Sequence, residues 1–421
     1  MSTNKYFPIK TATACQLKWT WSTIWLSSGK TASCHRIIPE NIGLDEFDSF
    51  HNTEKKLNDR ELMLDGKWPT GGCEYCQKIE QAGGSSDRMF QLNIPNLSPP
   101  ELVDDITAIS VTPKILEIYL NNTCNFSCLY CVGMHSSRIA HENKQYIDFI
   151  EQKDYKERFT TFQLFEETTQ SLYMDKFLKW MEKNSSTLSR LHILGGEPFY
   201  QKEFDILLDF LENHPNPQLE FNIVSNLGIS QKKLISIIER IKRLVITKKI
   251  KRLDMTCSID CWGPEQEFVR NGLNLTEWEI NFNYLLNQKW IVLNINQTIS
   301  GLTIKSMPAL LIKLKEWKLT RSVGHYFGMV TPQPTYLKPD IFSNNFFDDD
   351  FKNILSLMND DTWQEKEAKK YMNGIWKQIS TATENIEEIE NLKIFLNEID
   401  RRRNTNWQEL FPWLAEYKYV V

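Results

Sequence analysis

From residue 112 onward, short apolar runs alternate with longer stretches in which apolar residues recur every three or four positions. The runs at 115–120, 190–194, 219–225, 253–259, 291–299 and 323–330 have strand length. Between them, Leu172, Phe177, Trp180 and Met181 share one face of a predicted helix, and Phe204, Leu207, Leu208 and Leu211 share a face of the next. Leu234, Ile237, Ile238 and Ile241 form an i, i+3, i+4, i+7 stripe. Thr276-Glu-Trp-Glu279 reads as a capping box opening a helix that carries Phe282, Leu285 and Leu286. Six strands separated by helices predict an α/β fold, either an open parallel sheet or a partial (β/α)6 TIM-like barrel.

The flanking regions read differently. Residues 1–105 are irregular and rich in cysteine. Within them, 19–26 alternates aromatic or apolar with polar residues, as a half-buried strand does, Ser28-Gly29 reads as a turn, and 30–34 returns as the second strand of a hairpin. Residues 336–421 read as a helical cap anchored by Met358, Trp363, Tyr371, Ile375 and Trp376, with Asp348-Asp-Asp350 and Arg401-Arg-Arg403 as solvated charged faces. The expected division is therefore an N-terminal module at 1–105, an α/β domain at 112–335 and a C-terminal segment at 336–421. The long stretch 135–188, after the first α/β strand, is expected to contribute to an active-site wall.

With 421 residues, 41% hydrophobic and 24% charged, the chain is long enough for two or three domains and has ordinary globular composition. A net charge of −5 argues against nucleic acid as the main partner. The start carries no apolar signal region and no run approaches ~18 apolar residues, so a soluble, cytoplasmic protein without membrane attachment is expected. In a reducing compartment the nine cysteines are expected to be metal ligands before disulfides.

Three of these cysteines stand in Cys124-Asn-Phe-Ser-Cys128-Leu-Tyr-Cys131, at the carboxyl end of the run 115–120. Three thiolates can hold three corners of a [4Fe-4S] cubane and leave the fourth iron open to a ligand; zinc is the alternative occupant. The loop resembles the CxxxCxΦC motif of the radical S-adenosylmethionine (radical SAM) enzymes, with Tyr130 at the aromatic position. The resemblance implies that Cys124, Cys128 and Cys131 ligate the cluster whose open iron holds SAM. It also implies that Gly195-Gly196-Glu197-Pro198 binds the SAM amino group, and that Ser225 and Asn226 meet its ribose or carboxylate. Ser258 and Asp260, at the end of the fourth run, and Arg270 complete the expected cofactor set, with Arg270 able to clamp a carboxylate bidentately.

Cys15, Cys34, Cys73 and Cys76 form a second group. Zinc and iron–sulfur both suit a four-thiolate set. The pattern C-x13-G-x4-C followed by C-x2-C resembles the auxiliary-cluster half-domain of the SPASM and twitch subfamilies, here preceding the barrel instead of following it. It implies one auxiliary [4Fe-4S] cluster. Cys261, just past a strand, and His325 are candidate catalytic residues, the first as a hydrogen-atom donor and the second as a substrate contact. Cys257 is expected to be a small buried core residue, and His35, His135 and His141 ordinary polar residues.

The resemblance implies a 5′-deoxyadenosyl radical that abstracts hydrogen from a peptide or protein, with the auxiliary cluster as electron acceptor and a flavodoxin or ferredoxin as donor. The alternatives are an epimerase or small-molecule enzyme of the same type, and a non-catalytic zinc-binding interaction protein.

Overall fold

In the computed structural model, residues 11–34, 37–81, 86, 88–89, 109–146, 164–330 and 334–419 are described; His35 lies outside them. Eleven strands occur among them: β1 (Trp21–Trp25), β2 (Lys30–Ala32), β3 (Glu40–Asn41), β4 (Ile115–Tyr119), β5 (Ser127–Cys128), β6 (Arg190–Leu194), β7 (Glu220–Ser225), β8 (Arg252–Ser258), β9 (Arg270–Asn271), β10 (Val292–Ile299) and β11 (Gly324–Met329). β4, β6, β7, β8, β10 and β11 fall within a residue or so of the six apolar runs. The architecture is mixed α/β, with parallel strand pairing and many helices.

The chain divides into two units, Met1–Cys124 with Gly133–Val224 and Ile235–Asp254, and Asn125–Val132 with Ser225–Leu234 and Met255–Val421. In the first, β4 pairs in parallel with β6 (Ile115 opposite Arg190) and β6 with β7 (Arg190 opposite Glu220). On the other side of β4 lies β1, also parallel, with Trp21 opposite Ile115; β2 then pairs antiparallel with β1, and β3 with β2. The N-terminal hairpin thus extends the same sheet.

Period-2 alternation sorts this sheet into two faces. Leu116, Ile118, Leu191, Ile193, Phe221 and Ile223 are buried on one of them. The helix Lys202–Asn213 buries the expected Phe204, Leu207, Leu208 and Leu211, and the Phe204 ring stacks 6.3 Å from Phe221. Each such side chain contributes about 1.5–3 kcal/mol by leaving water.

Two expectations need correction here. Residues 19–20 belong to a short helix, Gln16–Thr20, not to the strand. Trp19 is fully buried in a cluster with Cys15, Leu17, Met63 and Cys73, and that packing overrides the local alternation. In the helix Glu167–Asn184, Leu172 is 51% exposed, while Tyr173 and Met174 turn inward; the Tyr173 hydroxyl donates to the Ile42 carbonyl at 2.7 Å.

In the second unit β10 pairs in parallel with β11, and the short β5 pairs antiparallel with β9. The helix Leu275–Leu286 begins earlier than the capping box suggested. Asn274 is its N-cap and accepts from the Glu277 amide at 2.9 Å, while Glu279 pairs with Lys313. Asparagine is among the best N-caps, so the start moves to it.

The C-terminal residues are helical, at Asp348–Leu357, Trp363–Ser380 and Ile386–Arg403. The two charge runs are helix ends and not merely solvated faces. Asp348, Asp349 and Asp350 fill a first turn and Arg401, Arg402 and Arg403 a last turn, which complements the helix dipole at each terminus. Among the described residues no helix is long and apolar enough to cross a membrane.

Candidate functional site

In the first unit the Gly195-Gly196-Glu197 turn is tied to the segment leading into Cys124. The Gly196 amide donates to the His135 carbonyl at 3.0 Å, and the Glu197 amide donates to the Thr123 carbonyl at 2.8 Å. Gln201 Nε2 spans the Asn121, Thr123 and Gly195 carbonyls at 3.1, 3.2 and 2.9 Å, a clamp that nothing in the sequence pattern signalled. Cys124 donates its amide to Ser137 Oγ at 3.2 Å.

Both glycines are required by geometry. Gly195 has φ +83° and Gly196 φ +58°; a Cβ would stand 2.2 Å from Tyr119 Cδ1 in the first and 2.4 Å from the Thr123 carbonyl oxygen in the second. Gly196→Ala should therefore destabilise the protein by about 2–4 kcal/mol, the left-handed backbone and the backbone clash adding together. Urea unfolding of this variant checks it, and a change below about 0.5 kcal/mol would refute the close approach. Glu197 is buried, and its Oε1 accepts from the Phe199 amide at 3.3 Å.

The sheet register adds residues that one-dimensional reading missed. Thr23, Glu117, His192 and Asn222 stand opposite one another on consecutive parallel strands and so on one face. Thr23 Oγ1 donates to Glu117 Oε1 at 3.0 Å, and burial pushes His192 down to about 3, with Arg190 adding to the shift. His135, whose ring centroid lies 4.9 Å from that of Tyr119, is likewise pushed down by burial, to about 4. His141 is exposed on the helix Ser137–Gln145.

The second unit holds Cys128, Tyr130 and Cys131 together with Asp260 and Arg270. The Cys131 amide donates to the Cys128 carbonyl at 3.0 Å, and Cys128 on β5 stands opposite Arg270 on β9. Asp260, 0% exposed, accepts from Arg270 Nε and Nη2 at 2.8 Å each, from the Tyr130 hydroxyl at 2.6 Å and from the Thr298 amide at 2.8 Å. The guanidinium carbon lies 5.5 Å from the Tyr130 ring centre. Burial alone would lower the Arg270 value, but Asp260 and Tyr130 raise it well above ordinary, so the cation persists. Burial pushes the Tyr130 phenol well up, which keeps it a donor.

Gln297 carries this network to His325. Its Nε2 donates to the Asp260 carbonyl at 2.6 Å, leaving Oε1 to accept from His325 Nε2 at 2.9 Å. His325 therefore carries its proton on Nε2, and burial, aided by Lys318, pushes its value down to about 3, so the ring is neutral at ordinary pH. Cys261 is buried, with its amide 2.9 Å and its sulfur 3.6 Å from Gln266 Oε1; burial, then Asp260, raises its thiol well above the ordinary value. Cys257 and Ser258 are buried in β8. Asn226 Nδ2 donates to Asn125 Oδ1 at 2.9 Å, Asn125 Nδ2 donates to the Gly228 carbonyl at 2.6 Å, and Ser225 Oγ accepts from the Leu227 amide at 3.0 Å. These bonds brace the segment after Cys124.

The four N-terminal cysteines, all in the first unit, line one small cavity. Cys15 caps the start of Gln16–Thr20, and Cys34 follows β2. Cys73 opens the helix Cys73–Gln81 with Cys76 one turn on, where the helix terminus favours negative charge. Glu74 fixes the entry to that helix by accepting from the Gly71 and Gly72 amides at 2.9 and 2.7 Å. Burial pushes Cys15 up to about 12 and Cys73 up to about 11, with neighbouring cysteines adding to both shifts and Lys18 opposing them.

Among the described residues no three His, Cys, Asp or Glu side chains are drawn together around a single-ion position. Four thiolates lining one cavity can hold either zinc or an iron–sulfur cluster. The donor set fits such a group.

The C-x3-C-x2-C loop, with the Thr123 carbonyl just before its first cysteine accepting from the Glu197 amide of the Gly-Gly-Glu turn, carries the likeness. The chain resembles the radical SAM enzymes.

No family model matches the chain, and no curated protein does. Among solved structures it is similar to native anSMEcpe with bound AdoMet and Cp18Cys peptide, at 14% identity and TM-score 0.34, covering 62% of each chain. It is also similar to Streptococcus suis SuiB bound to S-adenosylmethionine, at 14% identity and TM-score 0.35, covering 75% of this chain and 63% of that one. The chain thus spans 62–63% of the length of these structures.

Proposed function

We propose that the protein is a radical SAM enzyme that modifies a peptide or protein, with an auxiliary cluster in residues 1–105, the radical domain in 112–335 and a helical cap in 336–421. The observation that carries this is the C-x3-C-x2-C loop with its Thr123 carbonyl bonded to the Glu197 amide, which ties the first thiol to the Gly195-Gly196-Glu197 turn. Cys124, Cys128 and Cys131 would hold the first cluster, and Cys15, Cys34, Cys73 and Cys76 the second. When bound, the first cluster and SAM would supply a 5′-deoxyadenosyl radical that removes hydrogen from carbon, and the second would accept the electron the substrate gives up.

The chain's own residues place and shield these groups. The Gly195-Gly196 backbone leaves no side chain over the turn, and Glu197 offers a carboxylate to an ammonium. Ser225, Asn226, Ser258 and Asp260 stand at the ends of β7 and β8, where α/β folds bind ligands. Asp260 fixes Tyr130 and Arg270, and through Gln297 orients His325, whose neutral ring is suited to meeting a substrate without adding charge. A flavodoxin or ferredoxin would deliver the reducing electron. The peptide reading rests on the likeness of the N-terminal cysteine pattern to the SPASM and twitch subfamilies.

The test is reductive incubation of anaerobically reconstituted protein with SAM, assayed for 5′-deoxyadenosine and methionine. Both should form in equal amounts. Absence of 5′-deoxyadenosine from protein shown to carry iron and sulfide would overturn the reading.

A further inference from the structure

The N-terminal cavity has a charged wall. Among its described lining residues the charged ones are Lys18 and Arg88, and both are buried, at 2% and 4% exposure. Lys18 Nζ lies 2.5 Å from Asp59 Oδ2. Arg88 Nε lies 3.0 Å from Glu80 Oε1, Nη2 meets Glu80 Oε2, and Nη1 donates to the carbonyl of Ala14, next to Cys15, at 2.7 Å. Neither carboxylate lines the cavity. Lys18 interacts electrostatically with Cys15, Cys34 and Cys73, and Arg88 lines the same cavity with its guanidinium bonded beside Cys15.

Each cation is buried together with a carboxylate partner, an arrangement that apolar residues of similar volume would replace in a packing core at little or no cost. The arrangement makes sense if the cavity holds a group of opposite charge. Four thiolates with their metal make such a group, and each electron it gains adds a further negative charge that a fixed cation stabilises.

We infer that Lys18 and Arg88 are the counter-charges of the group held by Cys15, Cys34, Cys73 and Cys76, and that they raise its reduction potential so that it accepts an electron. This rests on the proposal that these cysteines hold an iron–sulfur cluster. The residues act through the electric field at the cluster, with no contact to substrate.

The test uses the full chain carrying Cys124→Ala, Cys128→Ala and Cys131→Ala, so that only the N-terminal cysteines can hold a cluster. Iron, sulfide and zinc are measured after reconstitution, and the midpoint potential is read by a redox titration followed by electron paramagnetic resonance. Lys18→Met should lower the one-electron reduction constant at least tenfold, a shift of 59 mV to more negative potential, with iron content unchanged. Lys18→Arg should restore the potential. Lys18→Met/Asp59→Asn, which removes both members of the Lys18–Asp59 pair, should move it in the same direction as Lys18→Met and serves if the single variant does not fold. Iron present with an unmoved potential in the charge-removing variants would overturn the inference. Zinc without iron in the parent would instead overturn the cluster reading beneath it.

Discussion

Replacing Cys124, Cys128 and Cys131 together by alanine should lower the iron content of the reconstituted protein from about eight to about four per chain and abolish SAM cleavage. The effect is expected to be complete because the three thiolates are the chain's only attachments to that cluster, and alanine offers none. The N-terminal cavity should keep its own iron, since its four cysteines lie in a different part of the chain and are brought together by β1, β2 and the helix Cys73–Gln81. Iron and sulfide assays with 5′-deoxyadenosine measured alongside separate the outcomes. A fall from about four to none would mean that the N-terminal cysteines hold zinc or nothing, and the electron-acceptor role would go with it. No iron in the parent protein would end the radical SAM reading itself.

Asp260→Ala should be the most destabilising single change in the second unit, by about 3–5 kcal/mol. The carboxylate is fully buried and accepts four hydrogen bonds, two of them from Arg270. Its removal leaves a buried guanidinium without its counter-ion, and the Tyr130 hydroxyl and Thr298 amide without their acceptor. Tyr130→Phe removes one neutral donor and should cost only about 1 kcal/mol. Urea unfolding of both variants gives the comparison. Equal costs for the two would mean that Arg270 finds another partner, and the account of Asp260 as the organising charge would fail. Because Gln297 joins His325 to the Asp260 backbone and not to its side chain, the alanine variant should retain that link in whatever fraction stays folded.

The sequence by itself determined a good deal. All six α/β strands follow from short apolar runs, because a strand covered on one or both faces must be apolar over a defined length. The stripe at Leu234, Ile237, Ile238 and Ile241 is buried as its spacing implied. The cysteine loop and the Gly-Gly-Glu turn were also legible, since each is a local arrangement whose chemistry depends on neighbours in the chain. Even the grouping of Cys15, Cys34, Cys73 and Cys76 could be anticipated from spacing.

What tertiary structure decided are the matters of partnership. Trp19 is helical because it packs among residues from Met63 and Cys73. The hairpin joins β4 in parallel register, a pairing across about ninety residues that no periodicity encodes. Arg270 and Asp260 could be named one by one, yet that they hold each other and Tyr130 follows only from the fold. Lys18 and Arg88 carried no signal at all, for a lysine or arginine in sequence reads as surface until its burial is seen. Hydrophobic periodicity reports which face a residue turns inward. It cannot report what charge, hydroxyl or sulfur it will meet there, because that partner is brought by another segment of the chain.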